Sequence, residues 1–400
     1  MNLHSDYPFW QVKEGLLHDF PTLSQDLRTD VLVIGGGISG ALIGHKLLQE
    51  GIATAVVDKR HIGFGSTSAS TALLQYEIDT PLHKLSAMAG EGQATRAYRL
   101  CEEAIEALES ICGKLADRAE FERHPSLWYA SYKKDVAGLL EPEFRARKKQ
   151  GFRVRMLAEH EVREMFGFSA PAGILSAVGA TCHPYKLTSS LMKKIVRRGG
   201  KVHDLTEIAS WTPARNHVVL TTTAGHRITA KYVVIAAGYE SQDYLRKNVT
   251  RFHSTYAIVS KPVSRRALWH RNSLLWETKS PYLYARTTAD GRVLVGGRDE
   301  RFQSAGKRDA LIGRKARELR ADFGKLFPRI PFELDFAWAG TFGETKDGLP
   351  YIGNPQEKRV FYAMGYGGNG ITFSVVAANL ITDAILQRKN PDAGIFSFDR

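Results

Sequence analysis

Cysteine is scarce. The 400 residues hold three thiols, Cys101, Cys112 and Cys182, odd in number and without a CxxC pair. That excludes a disulfide framework and leaves no thiolate metal site to expect, so no metal ligands are assigned, and the thiols read as reduced and buried. No run approaches the ~20 consecutive apolar residues of a membrane-spanning helix. The opening stretch, Met1 to Asp6, lacks both the basic region and the apolar run of a signal peptide, which points to a cytoplasmic protein. Acidic residues are also in short supply: 42 Asp and Glu against 55 Lys and Arg, a formal net charge of +13. The excess is dispersed, at Arg145, Arg147, Lys148 and Lys149, at Lys193, Lys194, Arg197 and Arg198, and at Arg314, Lys315 and Arg317. Helical spacing around each group makes these solvated faces, and no nucleic-acid partner is expected. Hydrophobic content of 43% and charged content of 24% describe an ordinary globular chain, long enough for about two domains.

What is present is organised around Asp30 to Gly40. Val31, Leu32, Val33 and Ile34 read as a buried strand, and Gly35, Gly37 and Gly40 fit G-x-G-x-x-G. Ile38, Leu42, Leu47 and Leu48 then mark an amphipathic helix. Each missing side chain has a use. Gly35 permits the sharp turn, Gly37 admits a pyrophosphate to the backbone, and Gly40 lets helix and strand pack closely, with phosphate on the helix N-terminus. A second strand, Ala53 to Val57, ends at Asp58, 18 residues after Gly40, where a carboxylate accepts from a ribose diol. The βαβ unit is complete and predicts dinucleotide binding, with NAD and FAD both open because each carries an ADP-ribose.

Along the chain, Tyr7-Pro8-Phe9-Trp10 and Pro21-Thr22-Leu23 read as an extended arm with tucked aromatics. Gly63 to Ala72 holds only small side chains apart from Phe64, which suits a backbone laid along a flat cofactor. Leu82 to about Ala119 has helical spacing, Leu127 to Ala130 suggests a strand of a second domain, and Arg153 to Met156 with the following helix is expected to return to the first. A helix is expected from Lys186 to Arg198, strands over Val202 to Trp211 and His217 to Thr223, and a buried strand over Tyr232 to Gly238 whose small tip suits a ligand. Tyr256 to Val259, Tyr282 to Arg286 and Val293 to Val295 alternate as in an antiparallel sheet, with Asp290-Gly291 as a hairpin turn. A basic helix follows from Lys307 to Leu326. Gly365 to Thr372 opens a last helix from about Ser374 to Gln387.

Taken together, the fingerprint, the small-residue stretch, Tyr284-Ala285-Arg286 with Gly296 to Glu300, and the C-terminal glycine motifs resemble the D-amino acid oxidase-like (DAO) superfamily. The branch with glycine oxidase, sarcosine oxidase and gamma-glutamylputrescine oxidase is the most similar. The resemblance spans nearly the whole chain. It implies FAD rather than NAD, in an α/β fold: a Rossmann-like FAD-binding domain built from discontinuous segments, plus an α+β substrate domain with a mixed antiparallel sheet. The expected division is an arm over 1–26, an FAD-binding domain over 27–90, 152–240 and 335–400, and a substrate-binding domain over 91–151 and 241–334.

Carried over residue by residue, the resemblance implies ADP contacts at Gly35, Gly37, Ile38, Ser39, Gly40 and Asp58 with the adjoining Lys59. It implies pyrophosphate and flavin contacts at Gly65, Ser66, Thr67 and Ser68, an adenine contact at Ile208, and a strand-end contact at Ala237 and Gly238. Gly340, Asp347, Gly367, Gly368, Asn369, Gly370, Ile371 and Thr372 match the contacts to the isoalloxazine, where a helix N-terminus meets negative charge. The implied reaction oxidises the C–N bond of an amine or amino acid by hydride transfer to flavin, and the resulting imine hydrolyses. Tyr256, Tyr284, Trp338 and Phe342 are the expected aromatic walls and Arg286 the expected anchor, with pairing to Asp299 or Glu300 as its alternative.

Three departures sharpen the expectation. Amino-acid-oxidising relatives carry an arginine shortly before the C-terminal Asp-Gly, whereas Gly340 to Lys346 holds none. The lysine that activates oxygen in sarcosine-oxidase-like members falls on the apolar Val293 to Val295, so the acceptor is oxygen or another electron acceptor. No cysteine follows Cys182, which implies non-covalent FAD. The alternative is a flavin-binding subunit of a larger dehydrogenase complex without independent turnover.

Overall fold

The computed structural model describes all 400 residues, built on two eight-stranded sheets and a small three-stranded one. In the first, Leu27–Ile34 runs parallel to Thr54–Val57 on one side and to Arg227–Ile235 on the other, with Ile34 level with Val57 and Ile235. Lys201–His203 continues the parallel order beyond Thr54–Val57, and Val360–Met364 lies parallel beside Val233 to Ile235. Val31 to Ile34 are buried, as a strand covered on both faces requires of an unbroken apolar run. On one face Val31 and Val33 join Leu42, Ile195, Phe373 and Val376 of the helices Ile38–Gln49, Pro184–Arg197 and Gly370–Ile385. On the other, Leu32 and Ile34 pack with Leu220 and Tyr362.

The second sheet runs in the order Leu334–Glu344, Arg251–Ser260, Val293–Glu300, Tyr284–Thr287, Leu274–Glu277, Ser126–Tyr129, Ala172–Ser176, Val154–Ala158. All neighbours are antiparallel except Ser126–Tyr129 with Leu274–Glu277. Period-two alternation divides its side chains. Ile258, Val293, Val295 and Ala339 join Leu319 and Phe323 of the helix Ile312–Leu326. Ala257, Val259, Leu294 and Trp338 cluster instead with Phe9, Trp10 and Tyr185.

Five expectations change. Val154–Ala158 and Ala172–Ser176 belong to the second sheet, not to the layer of the fingerprint, because both pair in line beside Ser126–Tyr129. Leu334–Glu344, expected with the C-terminal FAD segment, pairs along its whole length with Arg251–Ser260. Conversely, Glu91–Gly113 packs on Gly370–Ile385 and buries Ala94, Tyr98, Ile105 and Leu108 in the first core. The arm is not simply extended: Phe9–Glu14 is a short helix after Pro8, wedged between the layers by its two aromatics. The long helix from Leu82 is broken at Gly90, whose φ of 86° no helix accommodates.

Candidate active site

Between the two layers lies a cavity of about 450 Å3. Its first end is made by the fingerprint. Gly35 turns with φ 115°, and a Cβ there would stand 2.3 Å from the carbonyl oxygen of Ala236. Gly40 does not reach the cavity; a Cβ on it would lie 1.8 Å from the Gly35 carbonyl oxygen, so its absence seats the helix on the strand. Gly35, Gly37, Ile38 and Ser39 line the space. The Asp58 carboxylate stands beside them, accepting from the backbone N–H of Gly36 at 2.6 Å and of Arg60 at 2.8 Å. Burial raises its pKa. Lys59, Ile208, Ala237 and Gly238 complete this end. Glu240 takes both Arg60 nitrogens, at 2.8 and 2.9 Å, and Lys59 at 3.1 Å.

The middle is floored by small residues. Gly65, Ser66, Thr67 and Thr71 line it, and Ser66 Oγ is buried without a partner. Thr67 Oγ1 accepts from the Ile38 N–H at 2.9 Å. Ser68 lies below, donating to the Gly65 carbonyl and accepting from Gln11 at 2.8 Å. The start of Gly370–Ile385 converges on the start of Ile38–Gln49, with Ser39 and Ser374 hydroxyls 2.7 Å apart. Two helix N-termini thus meet one cavity, an environment for anionic groups. Gly340, Gly367, Gly368, Gly370 and Ile371 line this side. Three expected contacts do not. Asn369 holds the carbonyls of Gln75 and Glu77, Thr372 donates to Asn369, and Asp347 accepts from Arg400 at 2.9 Å and from the Leu349 N–H.

The far end is aromatic: Tyr239, Tyr282, Tyr284, Trp338 and Phe342, with Thr255 and Asp299. Tyr284 is pushed up to about 12 by burial and by Asp299. Two expected members fall elsewhere. Tyr256 borders the cavity through its backbone, but its ring sits in the opposite apolar cluster, 5.3 Å beneath the Lys315 ammonium. Arg286 is 2% exposed and donates to the carbonyls of Ala72 and Cys182, both at 3.3 Å, against the Trp10 ring. It pairs with neither Asp299 nor Glu300. Desolvation, uncompensated by a carboxylate contact, brings it down to about 10.

Asp299 and Asp79 are the functional candidates that sequence reasoning missed. Asp299 reaches the cavity because of a β-bulge. Ser254 pairs with Glu300 but Tyr256 with Gly297, and Gly297 and Arg298 both have positive φ, 134° and 59°. Leu294 and Gly296 face the first layer; regular alternation would bring Arg298 there next. The bulge reverses this. Arg298 turns to Asp322 and Glu318 of Ile312–Leu326, and Asp299 takes the cavity side. Burial pushes Asp299 up to about 7; the Thr255 hydroxyl opposes this, the charges of Glu344 and Asp79 add to it, and Lys315 opposes it least. Asp79 accepts from the Gly368 N–H at 2.8 Å and is pushed up to about 6 by its low-dielectric surroundings. Only Lys59 and Arg60, at the first end, supply cations to the lining.

A glycine turn between strand and helix, an acid ending the next strand, and a long cleft closed by a second sheet define a dinucleotide-dependent oxidoreductase. The profile of the DAO family, FAD dependent oxidoreductase, matches residues 30–384, and the chain belongs to that family. Its cofactor is FAD. The cavity fits it: the orphaned Ser66 hydroxyl, the glycine approaches and the paired helix ends all await an elongated anionic ligand. No cysteine or histidine lines the cavity, in keeping with non-covalent attachment. The chain is 25% identical over 377 residues to gamma-glutamylputrescine oxidoreductase of Escherichia coli K12, covering 92% of this chain and 85% of that one. It is 27% identical over 398 residues to glycine oxidase of Geobacillus kaustophilus, covering 93% and 97%. Among solved structures, L-proline dehydrogenase from P. horikoshii superposes with a TM-score of 0.77 at 18% identity, covering 93% and 97%. Glycine oxidase from Geobacillus kaustophilus superposes with a TM-score of 0.76 at 21% identity, covering 94% and 99%. No helix is long and apolar enough to cross a membrane.

Proposed function

We propose that this chain oxidises the C–N bond of a small-molecule amine to an imine, which water then hydrolyses to a carbonyl compound and an amine or ammonia. FAD, when bound, supplies the two-electron acceptor that takes the hydride. Gly35, Gly37, Ile38, Ser39, Asp58 and Lys59 hold its ADP part, and Ser66, Thr67, Gly340 and Gly367 to Ile371, Asn369 excepted, border the rest. The observation that carries the reading is the far end of the cavity, where five aromatic residues and one acid enclose a space with no lysine or arginine in its lining. Tyr284, Trp338 and Phe342 wall off water and press an amine flat, and Asp299, the one acid among them, can take the proton that an ammonium must lose before its hydride leaves. Names of relatives, gamma-glutamylputrescine oxidoreductase and glycine oxidase among them, support the same chemistry.

The test is anaerobic titration of the holoprotein with sarcosine, glycine, D- and L-amino acids, proline, putrescine and gamma-glutamylputrescine while the visible flavin band is recorded. Bleaching by one amine is expected, and admitting air then separates an oxidase from a dehydrogenase. A retained flavin that no amine bleaches would favour a subunit of a larger dehydrogenase complex or a substrate outside the panel, and no flavin band even after FAD is added would refute the reading.

A further inference from the structure

We propose that Asp299 selects the substrate by pairing its carboxylate with a positively charged amine nitrogen, so that the preferred class is amines without a carboxylate on the reacting carbon. This rests on the amine-oxidising reading above and narrows it.

Three observations converge on the residue. First, Asp299 Oδ1 is shielded from solvent yet has no donor in the protein. Asp58 accepts from two backbone N–H groups, Asp347 from Arg400 and Leu349, and Glu240 from Arg60; Glu77 also has one unpartnered oxygen, but it lies outside the cavity lining and its other oxygen is held by Arg147 and Ser176. A buried polar atom left over in a cavity lining is waiting for a ligand donor. Second, the chain spends backbone strain to place it. Arg298, a non-glycine residue, sits at φ 59° within a strand, and such strain persists where the surroundings enforce it. Its effect is to exchange an arginine for an aspartate on the cavity side.

Third, the field at this end is negative. Asp79 and Glu344 each raise the proton affinity of Asp299. Lys315, the cation that opposes this, is held behind the sheet by Glu300 at 2.6 Å and lies over the Tyr256 ring. Arg286 lies outside the cavity lining and donates to two carbonyls. A carboxylate beside the reacting carbon would therefore meet like charge and no counter-ion. An ammonium meets a free carboxylate oxygen beside the rings of Tyr282 and Tyr284.

The experiment uses two probes that cannot be oxidised, since neither bears hydrogen on the carbon attached to nitrogen: tert-butylamine and 2-aminoisobutyrate, the same skeleton with one methyl replaced by a carboxylate. Binding to the FAD-loaded protein is followed by calorimetry and by the flavin difference spectrum. The wild type should bind tert-butylamine at least tenfold more tightly than 2-aminoisobutyrate. Asp299→Asn should weaken tert-butylamine at least tenfold and Asp299→Glu should restore most of it, with flavin content and melting behaviour showing all three proteins folded. Equal affinity for the two probes in the wild type, or an Asp299→Asn protein that holds tert-butylamine within twofold, would overturn the proposal. Because the probes are inert, cation binding that depends on Asp299 supports the site even if no amine in the oxidation panel bleaches the flavin; that second result would count against the reaction alone.

Discussion

Keeping Asp299 ready for a ligand has a consequence for stability that can be measured without any ligand. Its carboxyl is pushed up to about 7 in the folded protein, against about 3.9 in an unfolded chain. A group whose folded value lies above its unfolded one contributes full stability below the unfolded value and loses it as pH rises through the folded value. Three units at 1.36 kcal/mol each set an upper limit of about 4 kcal/mol, which partial exposure and screening reduce to about 2 kcal/mol. Asparagine does not titrate. FAD-free Asp299→Asn should therefore lie within about 0.5 kcal/mol of the wild type near pH 4.5 and exceed it by about 2 kcal/mol at pH 8.5. With ~2.1 cal/mol/K of unfolding entropy per residue, that is about 2–3 °C in Tm for a chain of this length. Asp79, Glu344, Lys315 and Thr255 face the carboxyl, and their effects are already contained in its folded value. Scanning calorimetry of the two apoproteins across pH 4.5–8.5 checks it. A gap in Tm that does not widen with pH, or a wild type that gains on the variant, would refute the placement of a free, desolvated carboxyl in the cavity.

Two further outcomes follow from the geometry. Arg147 is fully buried, donating to Glu143 at 2.6 Å and lying 3.4 Å from Glu77, so Arg147→Met leaves two buried acids without their cation and should cost about 3–5 kcal/mol in urea unfolding; a loss below about 1 kcal/mol would show that the acids simply take up protons. Gly40→Ala places a Cβ 1.8 Å from a backbone oxygen that cannot swing aside. It should lower stability by about 1–3 kcal/mol and lower the flavin retained after desalting, and full retention would count against the close helix–strand approach.

The two ends of the cavity differ in how far they could be read from sequence. Gly35, Gly37 and Asp58 act through local backbone chemistry, so spacing alone located them. The far end depends on side-chain parity in the second sheet, and parity there is set by a bulge at Gly297 and Arg298 that no periodicity announces. That is why Asp299 was considered only as a partner for Arg286; Tyr256 was expected in the chamber and faces the helix because only the packing of Arg251–Ser260 decides which of its two faces meets the cleft. Arg286 itself misled for a different reason. A buried guanidinium normally implies a carboxylate, and here backbone carbonyls from two distant segments, Ala72 and Cys182, answer it instead. Asp79 had no signal at all, since its relation to Gly368 arises from a loop crossing to the last helix. The segment exchanges in the fold have the same origin: Val154–Ala158 and Leu334–Glu344 are good strands in either layer, and only their partners decide which.

The order in which the first sheet is filled has a consequence for synthesis. Leu27–Ile34 lies between Thr54–Val57 and a strand that begins at Arg227, and the carbonyl against which Gly35 turns belongs to Ala236. The cavity lining is complete only with Ile371. A growing chain therefore emerges from the ribosome with its fingerprint exposed and unsupported for some 190 residues, and the flavin cradle closes only when nearly all of the polypeptide is out. Retained yellow colour is accordingly a report on the whole chain, and a truncation anywhere before the last helix should leave a colourless protein.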